Sequence, residues 1–188
     1  MDFSEVIGQE EAKQRLLKMA ADKHVPHALL FCGPYGSGKM ALAMAFASYL
    51  LETSSASPES TKAMLKKWEH PDLHFTYPTI KLPNTSSEYQ PISSDFAKEW
   101  RKMIMEGTYF NIRKWMNEMG ATTQQAIITG AESDNISRQL ALKSSQGGYK
   151  VSIIWLPERM NQTSANKILK LLEEPTEGTV FLMVSEEP

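Results

Sequence analysis

HALLFCGPYGSGKM, residues 27–40, is the stretch that decides the fold. An apolar run (His27–Cys32) ends at Gly33-Pro34, and a glycine-rich turn leads into Lys39. Behind it, KMALAMAFASYLL over 39–51 is rich in Ala, Leu and Met and apolar nearly all round, which predicts a buried helix. The run before the turn suits a buried parallel strand. Gly33 to Lys39 matches G-x-x-x-x-G-K in the strand–turn–helix context that gives this pattern meaning. Its glycines let backbone amides turn inward onto phosphate oxygens, the helix N-terminus adds partial positive charge, and Lys39 adds a full one. The candidate phosphate-contacting residues are therefore Gly33, Gly36, Ser37, Gly38, Lys39 and Met40.

Met40 departs from the pattern. A working loop carries Ser or Thr there, whose hydroxyl helps hold Mg²⁺, whereas a thioether is a poor ligand for a hard cation. Ser37 precedes the lysine, on the wrong side of the turn to compensate. The loop reads as able to cradle phosphate but not to hold its metal.

Outward from this centre, apolar residues recur with alternating periods. Ala12, Leu16, Met19 and Ala20 place an amphipathic helix over 9–22. After a Ser/Pro loop (54–60) come a short polar helix over 60–68 and a strand over 73–77, stopped by Pro78. Residues 78–92, with Pro78, Pro83, Asn84 and Pro91, read as loop. A helical hairpin follows. Phe96, Trp100, Met103 and Ile104 share one face of its first helix, and Ile112, Trp115, Met116 and Met119 share one face of its second. Gly107 lies between the two helices and Gly120 closes the pair. A helix over 134–145 opens at Ser133 or Asp134 as cap. A strand over 151–156, a helix over 161–174 stopped by Pro175, and a strand over 179–184 complete the order. Strands alternating with helices predict a three-layer α/β sandwich around a central parallel sheet, with 79–130 as a helical insertion.

ATPases with such a loop usually end a later strand in Asp-Glu, one acid for Mg²⁺ and one for the attacking water. Here that strand, VSII over 151–154, runs into Trp155 and Leu156, and Glu158 stands beyond Pro157 where it would aim elsewhere. With two metal-holding elements missing together, no catalytic residue is expected.

Bulk properties narrow the function further. The 188 residues are 41% hydrophobic and 22% charged, ordinary for one globular domain, and the net charge of −2 supplies no global field toward nucleic acid or anionic membrane. A lone cysteine, Cys32, rules out a disulfide framework or cysteine-rich zinc cage and reads as a small buried residue. With no apolar leader and no membrane-length apolar stretch, the cytoplasm is the expected compartment. His70, Asp72 and His74 lack a fourth ligand nearby and read as polar residues entering a strand rather than a metal site. Arg101, Lys102, Arg113 and Lys114, beside Trp100, Trp115, Tyr109 and Phe110, could form a nucleic-acid patch. Both tryptophans fall on apolar helix faces and Glu99, Glu106 and Glu118 dilute the charge, so a packed hairpin with a solvated face is the favoured reading.

Several further runs carry a family resemblance: FSEVIGQE over 3–10, HALLF over 27–31, HPDLH over 70–74, YKV over 149–151, and AN at 165–166 followed by LK at 169–170 and LEEP at 172–175. Together they resemble the bacterial clamp-loader branch of the AAA+ ATPases over residues 1–75 and 132–185, while 79–130 matches nothing in that pattern. Counting back from the LEEP helix puts Trp155 and Leu156 at the acidic positions. Within that branch, altered nucleotide motifs mark the delta-prime subunit. The resemblance thus implies a stator that contacts the delta and gamma/tau subunits of DNA polymerase III and, through the complex, the sliding clamp and primed DNA. It implies no required cofactor, weak ATP, ADP or phosphate binding at most, and no zinc, since the cysteines many relatives carry are missing from 52–70. An active gamma/tau-like ATPase is the alternative. An arginine motif is expected just past Glu187, with lid and collar domains outside this chain.

Overall fold

The computed structural model describes every residue except Asn84, Thr122 and Pro188. The proline-rich loop reading at Asn84 and the chain's last residue therefore lie outside the described residues. Four strands, β1 (Ala28–Cys32), β2 (Leu73–Thr76), β3 (Lys150–Trp155) and β4 (Thr179–Ser185), pair in the order β1-β4-β3-β2. All three pairings are parallel. The helices are α1 (Glu10–Ala21), α2 (Lys39–Ser54), α3 (Pro58–Leu65), α4 (Ala97–Glu106), α5 (Ile112–Glu118), α6 (Gly130–Ala141) and α7 (Gln162–Glu173). The expected three-layer parallel α/β arrangement is the one that folds.

The two central strands show why their sequences are continuous apolar runs. Every residue of β3 is buried, because helices cover both faces. Side chains alternate across the sheet. Val151, Ile153 and Trp155 with Val180, Leu182 and Val184 join the core under α2, while Ile154 and Phe181 join Ile136, Leu140 and Ile168 of α6 and α7. Helix α2 lies against the sheet on one side and meets α3 and α1 on others, so its apolar circumference has no solvent face to spare; Phe46 and Met44 are fully buried. Each large apolar side chain so buried contributes about 1.5–3 kcal/mol.

Polar residues knit the layers together. The Asp72 carboxylate, just before β2, accepts from the Ser145 amide at 2.8 Å, the Gln146 amide at 3.1 Å and the Ser144 hydroxyl at 3.0 Å, fixing the turn that feeds β3. Two amides and a hydroxyl of one turn thereby share this carboxylate. Lys150 donates to the Leu140 and Leu142 carbonyls at the end of α6 and to Thr176, where a cation complements the helix terminus.

Three readings need correction. β1 is an edge strand: Leu30 is 52% exposed, and Cys32 is exposed rather than buried. An apolar run reports strand propensity but not a place in the sheet. Helix α6 starts at Gly130, after Thr129, rather than at Ser133 or Asp134. The polar helix before β2 begins at Pro58, the favoured first-turn position, and ends at Leu65.

The hairpin of α4 and α5 folds onto the α2 side. Trp100, Met103, Ile104 and Phe96 are buried along one face of the first helix and its lead-in, and Trp115 is fully buried in the second. Tyr77 stacks on Trp100 with centroids 4.0 Å apart, and the Trp115 indole donates to the Pro78 carbonyl at 2.7 Å. The segment's two ends meet where Thr79 and Ile127 exchange backbone hydrogen bonds of 2.9 and 3.0 Å. Its cations are largely matched by acids: Arg101 with Glu69 at 2.7 Å, Lys102 with Glu118 at 2.9 Å and Lys114 with Glu106 at 3.0 Å. Buried tryptophans and paired cations make this face a packed hairpin.

Candidate phosphate-loop site

β1 delivers the chain to the turn at Gly33, and α2 carries it away from Gly38. Gly36 and Gly38 both sit at φ +82°, in the left-handed region where a side chain would be strained. Gly38 is the N-cap of α2, so the helix's first amides are left to the loop. Lys39 folds back onto the turn, its ammonium donating to the Pro34 carbonyl at 2.7 Å and reaching the Ser37 hydroxyl at 3.4 Å. Gly36, Gly38 and Lys39 thus line one concavity, with Gly33 beside Ser37 and Lys39 in the turn next to it. Met40, only 6% exposed, lines the same concavity and brings a thioether where a hydroxyl would be needed.

The positions that would hold metal are spent on packing. Trp155, at the end of β3, is 3% exposed and lies against the rings of Phe110 (5.2 Å) and Trp100 (5.4 Å). Leu156 is 2% exposed, in a left-handed conformation at φ 57°. Glu158 points to the end of β4, accepting from the Ser185 hydroxyl at 2.9 Å and the Glu186 amide at 3.0 Å. Its carboxylate braces two strand ends and stands away from the loop.

Some residues of the site gave no functional signal in the sequence. Gln9, the N-cap of α1, donates from its side-chain amide to the Ser37 carbonyl at 2.8 Å, tying the first helix to the turn. Thr108, Tyr109 and Phe110, in the connection between α4 and α5, line the concavity with Glu186 and Trp155. Tyr109 and Phe110 showed only as aromatics beside a basic run. Their place over the loop depends on how the hairpin docks, which local spacing does not encode.

Chemically, Lys39 and the α2 amides can hold an anion once the lysine leaves Pro34. No hydroxyl follows Lys39, no acid ends β3, and Glu186, the one carboxylate lining the cavity among the described residues, adds repulsion toward phosphate. The arrangement favours weak anion binding over metal-assisted hydrolysis.

Residues 8–188 match the family profile described as DNA polymerase III, delta subunit. The chain is 25% identical over 186 residues to the DNA polymerase III subunit delta' of Bacillus subtilis, covering 95% of this chain and 43% of that protein. It is 28% identical over 167 residues to the subunit delta' of Pseudomonas aeruginosa, covering 86% of this chain and 38% of that protein. The DNA polymerase III subunit tau of Bacillus subtilis is 26% identical over 187 residues, covering 99% of this chain and 26% of that protein. The chain thus spans less than half the length of these relatives. With a profile match running through the phosphate loop, the sheet and the hairpin, the chain belongs to the DNA polymerase III delta-subunit family.

Proposed function

We propose that this chain is the nucleotide-fold part of a delta-prime-like clamp-loader subunit, acting in the cytoplasm as a stator that does not hydrolyse ATP. One observation carries the reading: at both positions that would hold Mg²⁺, largely buried side chains without a hard oxygen ligand, Met40 and Trp155, line the cavity over the loop. Without metal at the β/γ-phosphates, the loop lacks the electrostatic stabilisation that phosphoryl transfer requires. Its partners are then the delta and gamma/tau subunits, and through the complex the sliding clamp and primed DNA. No cofactor is required; ATP, ADP or phosphate bind weakly and without metal through Lys39 and the loop amides.

The likeness to a tau subunit, over 99% of this chain, keeps a motor as the second reading. Affinity capture of the tagged full-length protein from its own cells, with partners identified by mass spectrometry, tests the assembly claim. Recovery of the delta and gamma/tau subunits is expected. Their absence, with unrelated proteins in their place, would leave the fold standing and remove the function.

A further inference from the structure

The concavity over the phosphate loop is already filled. Tyr109 stands over Gly38: a Cβ on that glycine would lie 3.4 Å from the tyrosine hydroxyl and 3.6 Å from its ring. The same hydroxyl accepts from the Ile7 amide at 3.0 Å, so the ring is tethered to the segment that precedes α1. The next residue, Phe110, is 7% exposed and packs edge-on against Trp155, with centroids 5.2 Å apart. Between these two anchors the remaining cavity is about 30 Å³, room for about a water molecule or two, where small-molecule pockets occupy about 300–1,000 Å³.

We propose that Tyr109, held between the Ile7 amide and the Phe110–Trp155 contact, is a built-in stopper that closes the phosphate loop to nucleoside di- and triphosphates. This deepens the reading of the site as a weak, metal-independent nucleotide binder and rests on it. The loop keeps its glycines, its lysine and its helix terminus, so its affinity is held down by occupancy as well as by missing chemistry. A phosphate chain entering over Gly38 must displace the Tyr109 ring and break the bond to Ile7, and Lys39 must release Pro34. At 41% exposure, Tyr109 carries little of the core and can be cut back without unfolding the hairpin.

The test is titration of inorganic pyrophosphate and of ADP, without Mg²⁺, into the full-length protein, into its Tyr109→Ala variant and into the Tyr109→Ala/Lys39→Ala double variant. Thermal melting confirms that each is folded. Tyr109→Ser replaces the alanine variant should that one fail to fold. The expected result is binding at least about tenfold tighter in Tyr109→Ala than in the wild type, with the gain lost in the double variant. Equal affinities in wild type and folded Tyr109→Ala overturn the stopper and leave the weak-site reading intact. A gain that survives loss of Lys39 also overturns it, since the ligand would then lie outside the loop. Tight, Mg²⁺-dependent ATP binding by the wild type refutes the weak-site reading and the stopper together.

Discussion

At the residue scale, Glu132 is a carboxyl held in an unfavourable place. It is 2% exposed in the first turn of α6, accepting from the Ser93 amide at 2.6 Å and the Thr76 hydroxyl at 3.0 Å. Burial pushes its carboxyl up from the usual range, and the two hydrogen bonds only partly oppose that. The native state therefore binds this proton more tightly than the unfolded chain. Its contribution is fully present below the ordinary glutamate range, about 4.3, and is lost as pH rises through the raised native value. Urea unfolding of wild type and Glu132→Gln at about pH 5 and about pH 8 should show the wild type losing ground to the variant as pH rises; a constant difference, or the opposite trend, would contradict this. Met40 and Trp155 could be read from the sequence because each breaks a fixed spacing within a motif. The role of Tyr109 could not, since its contact with Ile7 spans 102 positions and no local pattern reports a contact of that separation.

At the scale of elements, α6 and α7 approach closely at one point. A Cβ on Gly130 would lie 2.8 Å from Cγ2 of Thr163. Gly130→Ala should destabilise the protein by about 1–3 kcal/mol through overpacking. Thr163→Ser, which removes that methyl, should restore much of the loss in the double variant; a denaturant double-mutant cycle measures the coupling, and additive effects would show that the helices are not in contact there. The same interface explains why the start of α6 was misplaced from sequence. Ser133 and Asp134 look like caps, but the Ser133 hydroxyl bonds that of Ser164 at 2.7 Å and Asp134 pairs with Lys167 at 2.6 Å. Both serve α7, and the helix starts a turn earlier at Gly130 without a side-chain cap. Strand identity was legible for all four strands because each is a short apolar run bounded by turn residues. Strand order was not, because β1 and β4 carry similar runs and only pairing decides which lies at the edge.

At the scale of the whole molecule, the hairpin's aromatics join the core that α2 and the sheet enclose, so hairpin and phosphate loop form one packed unit. Three of its surface cations, Arg101, Lys102 and Lys114, are paired with acids, and the net charge is −2. Reversing charge at Arg101 and Arg113 together should therefore leave DNA affinity of the assembled loader, and its slope against salt, unchanged; a slope reduced by about one per lost phosphate contact would make the hairpin a DNA surface after all. The three-layer fold was legible from alternating periods and one loop motif. The docking of the hairpin over that loop was not, because it depends on ring-to-ring contacts between segments far apart in the chain. The most direct test of the proposal that this nucleotide fold does not run as a motor is titration of ATP into the full-length protein with Mg²⁺ and again with the metal chelated, alongside phosphate release at saturation. Weak binding that is the same in both conditions, with no release above background, is the expected result. Binding that tightens about tenfold or more with Mg²⁺ and is followed by turnover would contradict it.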